Sequence, residues 1–170
     1  MSGELSSPET PAQAPEDRRE WVEFVHFRLG EEAYELELGR VEQILPDPSV
    51  TEVPQTGPAI AGVTNLGSEI PVVVEGRALL ELPARSPEAE ATLLLLDRDD
   101  ARPTGLLVDE VVGIEAHHVD SVAAPGTVDD WSLPVGPRWF RAVVDDPDRT
   151  GQPIGVFDLD AVVRETRGQS

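Results

Sequence analysis

The chain has 170 residues, 39% of them apolar and only 5% aromatic, so its core must be aliphatic and of single-domain size. Its 33 acidic residues against 13 basic ones give a formal net charge of -20, which repels phosphate backbones and anionic membranes and excludes nucleic acid as a partner. The absence of cysteine rules out disulfides, thiolate metal sites and thiol nucleophiles, and the absence of any apolar run of about 18 residues rules out direct membrane insertion by a helix.

Residues 1–20 are rich in Ser, Pro and Glu, have no apolar rhythm, and read as a disordered acidic tail. The start also lacks a basic region followed by an apolar one, so the expected compartment is the cytoplasm. Order begins at Trp21. Val25, Phe27 and Leu29 alternate with His26 and Arg28, then Tyr34, Leu36 and Leu38 alternate with Glu35 and Glu37, which predicts a hairpin turning at Gly30. Val41, Ile44 and Leu45 have helical spacing that stops at Pro46, which predicts one or two helical turns. A short extended piece ends at Pro54, and Val63 to Leu66 reads as a strand. Ile70 to Val74 is a β-branched run of the kind buried on both sides, followed by a brief helix over Ala78 to Leu82.

The polar stretch 83–90 is the expected division between two halves. Beyond it, Ala91 to Leu96 predicts a buried strand, and Thr104 to Ile114 one long strand with bends at Gly105 and Gly113. Residues 117–137 are irregular and include Trp131. Trp139 to Val144 then pairs with Pro153 to Phe157, and Asp158 caps a last helix over Leu159 to Arg164. Pro71-Val-Val-Val before Ala78-Leu-Leu is echoed by Pro153-Ile-Gly-Val before Ala161-Val-Val, a strand running into a short helix each time. Many short strands with little helix indicate an all-β fold of two small barrels.

Catalytic constellations are hard to find. His26, His117 and His118 sit near no nucleophile elbow, and adjacent His117 and His118 point to opposite faces of a strand, so all three read as exposed or partly packed. Asp97, Asp99 and Asp100 read as a solvated turn. The loop from Asp145 to Gly151 lacks the ligand rhythm of a calcium site, and no glycine loop is built to cradle phosphate. No catalytic, cofactor-binding or metal-binding residue is therefore assigned. Carboxylates spread along the whole chain and the lack of lysine suit a halophilic surface, although a GC-rich genome would also favour arginine.

The segment Gly62-Val-Thr-Asn-Leu-Gly-Ser-Glu-Ile-Pro71-Val-Val-Val74 resembles the CheW family, whose hallmark there is Gly-Val-x-Asn-Leu-Arg-Gly before a Pro-Val strand. Phe27 to Tyr34 resembles the family's opening hairpin, Val41-Glu-Gln-Ile44 its short helix, Gly105 to Gly113 its Gly-x-x-Val-Asp-x-Val strand, and Val156 to Asp160 its closing strand and helix. The resemblance implies two interleaved five-stranded SH3-like barrels over residues 21–166, with 167–170 as a tail. It also implies a non-catalytic adaptor joining the tip of a methyl-accepting chemoreceptor to the regulatory domain of the histidine kinase CheA. By position it places Val41, Gly62, Asn65 and Leu66 on a receptor-facing groove, and Leu107, Val108 and Asp109 toward the other half. Gly67 follows Asn65-Leu66 where the family carries arginine, and glycine cannot fork to a carboxylate. Alternatives are a paralogue serving another kinase or receptor pathway, or an acidic sequestering protein.

Overall fold

Alternation in the opening segment is resolved by pairing. In the computed structural model, which describes residues 20–54, 56–97, 103–123, 139–145 and 153–168, β1 (Trp21–Leu29) and β2 (Glu32–Glu37) form an antiparallel hairpin with Phe27 opposite Tyr34. A 3-10 turn over Leu38–Arg40 then passes the chain into a second sheet. That sheet contains β3 (Val41–Pro46), β4 (Ile60–Val63), β5 (Val72–Glu75), β6 (Thr92–Leu96) and β7 (Thr104–Val108), in the order β3-β6-β7-β5-β4. The chain returns to the first sheet through β8 (Glu110–His118), β9 (Val122–Ala123), β10 (Phe140–Val144) and β11 (Ile154–Phe157), giving β8-β1-β2-β11-β10-β9. Short helices α1 (Gly76–Leu79) and α2 (Leu159–Gly168) follow β5 and β11.

The echo in the sequence is an echo in topology. β5 pairs antiparallel with β4 and parallel with β7; β11 pairs antiparallel with β10 and parallel with β2. Each then enters its helix. Asp158 caps α2, accepting from the Ala161 N–H at 3.2 Å. The helix runs to Gly168, four residues beyond the Arg164 end read from the sequence.

Among the described residues, three apolar clusters divide the interior. The largest lies between the sheets: Val25, Phe27, Leu29, Tyr34 and Leu36 from the first meet Val74, Leu94, Leu96, Leu106 and Val108 from the second, with Phe140, Phe157, Leu159 and Val162 closing the side. A smaller one fills the other face of the first sheet, around Phe24, Ala142, Val144, Ile154 and Val156. The third, around Val73, Leu93 and Leu107, fills the second sheet.

Several expectations fail for identifiable reasons. Val41–Pro46 is a strand, not a helix, because a bulge between Val41 and Gln43 breaks the two-residue period and mimics helical spacing, while pairing to β6 overrides it. The strand expected at Val63 to Leu66 is β4, displaced toward the N-terminus. The long run from Thr104 is two strands in different sheets, separated at Asp109. Gly105 marks no bend; it makes room for Leu93, whose Cδ1 lies 2.6 Å from where a Cβ would stand. Gly113 does adjoin a bulge, at the register shift between His26 and Phe27. The stretch 83–90 lies between α1 and β6 with the second sheet on both sides, so the chain changes sheet at Leu38–Arg40 and at Asp109 instead. The tail up to residue 19, Asp99, Asp100, Trp131 and residues 146–151 lie outside the described residues.

Two residues test this packing directly. Gly62 has φ +149°, and a Cβ there would stand 2.1 Å from the Thr51 carbonyl oxygen, where a bridge from Thr51 to Val63 joins the segment after β3 to β4. Gly62→Ala should cost about 2–4 kcal/mol in urea unfolding. Tyr34, the single tyrosine, stacks on Phe140 with centroids 5.7 Å apart. Burial, then the Glu32 carboxylate, push its phenol up to about 12. Ultraviolet titration should find the folded phenol ionising near there, with stability falling as pH rises above about 10, because the unfolded chain releases this proton first.

Candidate interaction surfaces

The turn after β4 carries the strongest sequence motif. Thr64 donates its hydroxyl to the Ser49 carbonyl at 2.6 Å, and its backbone N–H bonds the Pro71 carbonyl. Asn65 Oδ1 accepts from the Gly67 N–H at 2.8 Å, an Asx turn completed by Gly67 at φ +92°. The Asn65-Leu66-Gly67 segment is thus a tight hairpin tip, with Asn65 exposed, Leu66 half-buried and Ile70 55% exposed. Val53 and Ile44 are also exposed on the second-sheet half.

The remaining sequence-assigned residues separate. Gly62 is buried against Thr51 beside this hairpin. Val41 is half-buried at the start of β3, and the neighbouring turn lines a shallow groove with Trp21, Glu37, Leu38 and Arg40. Leu107 and Val108 are core residues of two different clusters, with Val108 fully buried. A second exposed apolar set lies on β8, the edge of the first sheet, where Val112 and Ile114 are 53% and 47% exposed. Sequence reasoning missed it, although its residues alternate with Gly113 and Glu115.

Asp109, at the change of sheet, is engaged internally. Its carboxylate accepts from Arg77 Nε and Nη2, both at 2.8 Å, from Arg85 Nη2 at 2.7 Å, and from the Gly30 backbone N–H at 2.7 Å. Arg85 also reaches Glu75 at 2.6 Å, and Arg77 donates to the Pro83 carbonyl. This network joins the β1–β2 turn, α1, the 83–85 loop and the β7–β8 crossing. Partial burial would raise the Asp109 pKa, but hydrogen bonds from Arg77, Gly30 and Arg85 hold it down at about 2.

A second polar group is buried inside the first sheet. His26 and His117 are 6% and 2% exposed and Glu35 is fully buried, not on a solvent face as strand alternation suggests. The reason is that this sheet packs apolar side chains on both faces, so its second face is also interior. Glu35 Oε2 lies 2.8 Å from His26 Nδ1 and 3.0 Å from His117 Nε2. Of the paired histidines, only His118 is partly exposed, 3.2 Å from Glu20.

An all-β body of two sheets around a shared core, with separate exposed apolar sets at a hairpin and an edge strand, has the form of a binding scaffold. The CheW-like domain family matches residues 23–167, and the chain belongs to it; this is a family of non-catalytic scaffolds. The chain is 26% identical over 118 residues to the chemotaxis protein CheW of Helicobacter pylori, covering 68% of this chain and 70% of that protein. The crystal structure of the scaffolding protein TtCheW from Thermoanaerobacter tengcongensis is similar in fold, with a TM-score of 0.69 and 22% identity over 81% of this chain and 89% of that one.

Asp109→Asn leaves two partly buried guanidinium groups short of countercharge and should cost about 1–3 kcal/mol, reduced from a fully buried pair by solvent screening. Because the folded pKa is depressed, this contribution is present above about pH 4 and is lost as pH falls toward 2. The difference in urea midpoint between the parent and the variant should therefore shrink over that range.

Proposed function

We propose that this chain is a chemotaxis coupling adaptor that joins the tip of a methyl-accepting chemoreceptor to the regulatory domain of the histidine kinase CheA in the cytoplasm. Family membership supports the class of role. The observation that carries it further is the presence of two exposed apolar sets on different sheets: Val53 and Ile70 with the Asn65-Leu66 hairpin, and Val112 with Ile114 on the β8 edge. A coupler needs two surfaces that can be filled at once. Among the described residues, no helix is long and apolar enough to cross a membrane, and a receptor contact is then made through protein rather than lipid.

In this reading the hairpin, with Val41 and Gly62 shaping its approach, meets the receptor, and the β8 edge meets the kinase. Leu107, Val108 and Asp109 act from within by fixing the course of the chain between the sheets. Gly67, in place of an arginine, leaves the receptor contact to shape and apolar burial rather than to a forked ion pair. Apolar burial persists when charge pairing is screened, which suits a surface of net charge -20 working in concentrated salt.

The test is size-exclusion chromatography with the cognate CheA regulatory domain in dilute and in molar KCl. Co-elution should survive molar salt, Ile114→Asp should abolish it, and Ile70→Asp should leave it intact while weakening receptor binding by about tenfold or more. Failure of the folded partners to co-elute in molar salt overturns the proposal.

A further inference from the structure

The buried polar group in the first sheet has the composition and spacing of a metal centre. His26, Glu35 and Glu115 each place a ligand atom within 4.8 Å of the others. His26 Nδ1 lies 2.8 Å from Glu35 Oε2 and 3.9 Å from Glu115 Oε1, and the His117 imidazole flanks the group, its Nε2 3.0 and 3.7 Å from the same two oxygens. A tetrahedral zinc ion bound at 2.0–2.1 Å requires neighbouring ligands about 3.3 Å apart. The His26–Glu35 and His26–Glu115 separations, 2.8 and 3.9 Å, fall on either side of that value.

Pairing explains the convergence. His26 stands opposite Glu35 on β2 and opposite Gly113 on β8, and Glu115 and His117 follow at two-residue steps on the same face of β8. The Phe24 ring, 5.5 Å from the His117 ring, packs beside that imidazole. Glu35 is fully buried, and its second oxygen, Oε1, has no hydrogen-bond partner among the described residues. A buried carboxylate with half its acceptor capacity unmet is costly unless something positive shares the site. The cluster also has an open side: a Cβ on Gly113 would meet nothing within 4 Å, and Glu115 is 34% exposed.

We propose that His26, Glu35 and Glu115 bind one zinc-class divalent ion, clamping edge strand β8 to β1 and β2, with His117 bonded to the Glu35 carboxylate beside it. One imidazole with two carboxylates, leaving a fourth position open, suits a borderline ion such as Zn2+ rather than Mg2+ or Ca2+, which take all-oxygen shells. The two carboxylates balance its charge. The site is independent of the adaptor role, and it would stiffen the strand carrying Val112 and Ile114.

The experiment uses the full chain stripped with chelator and titrated in molar KCl, which suppresses diffuse binding to the acidic surface. Zn2+ should bind one per chain and raise Tm, Co2+ should give the intense visible bands of a tetrahedral complex, and Mg2+ should do neither. Glu115→Gln, at a partly exposed position where folding is verified by circular dichroism, should weaken Zn2+ binding at least about tenfold. His118→Ala, which removes the exposed imidazole beside Glu20 and Asp120, should leave binding unchanged. A Zn2+ effect no larger than that of Mg2+, or one lost in His118→Ala and kept in Glu115→Gln, overturns the proposal.

Discussion

Everything in this fold depends on burying one seam between two sheets. Leu29, Leu36 and Val25 on one side and Leu94, Leu106 and Val108 on the other are almost wholly removed from water, and each sheet supplies what the other covers. The few aromatic residues are concentrated there: Phe27, Tyr34, Phe140 and Phe157 form one packed group with centroids 5.2–6.4 Å apart. With Trp139, five of the eight aromatic residues of the chain lie where the sheets meet. Neither sheet is therefore a separable domain, and the chain path through them, first to second and back, makes the dependence covalent as well.

What was legible in the sequence is what is local. The β1–β2 hairpin, β6, the β10–β11 pair and the Asp158 cap follow from alternation, aliphatic runs and one N-cap residue, each readable within about ten positions. The Asn65-Leu66 motif was legible as a family resemblance, but its turn was not: Val63 to Leu66 read as a strand, and the Asx turn depends on Gly67 at φ +92°. What escaped depends on distant partners. Arg77 and Arg85 lie 32 and 24 positions from Asp109, so although Asp109-Glu110 interrupts the apolar run, nothing nearby says that the break is a change of sheet rather than a solvated pair within one strand. The bulge at Val41 imitates a helix because one inserted residue shifts the strand period.

The histidines carry the same lesson in sharper form. Adjacent His117 and His118 do point to opposite faces, and His118 is the outward one. The partner of His117 is not its neighbour in sequence but Glu35, 82 residues away, and His26 contacts the same carboxylate oxygen. Alternating Glu and aliphatic residues in β2 looked like a half-solvated strand because alternation reports two different faces, not which of them meets water. In a sheet that curls over its own apolar cluster, both faces are interior.

These internal polar groups bear on how such a body can couple partners. An adaptor with one face per sheet transmits orientation only if the sheets do not slide on each other, and an aliphatic seam alone is poorly directional. Asp109 supplies direction. Its two oxygens hold arginines from α1 and the 83–85 region of the second half and the Gly30 N–H from the first, so that three segments share one set of charge-assisted bonds. Because Arg85 is only 10% exposed and Asp109 19%, this link is screened far less by salt than the exposed pair of Arg141 and Glu37. A chain crowded with carboxylates thus keeps two of its arginines in a partly buried network, where they tie α1 and the 83–85 loop of the second half, through Asp109, to the β1–β2 turn of the first.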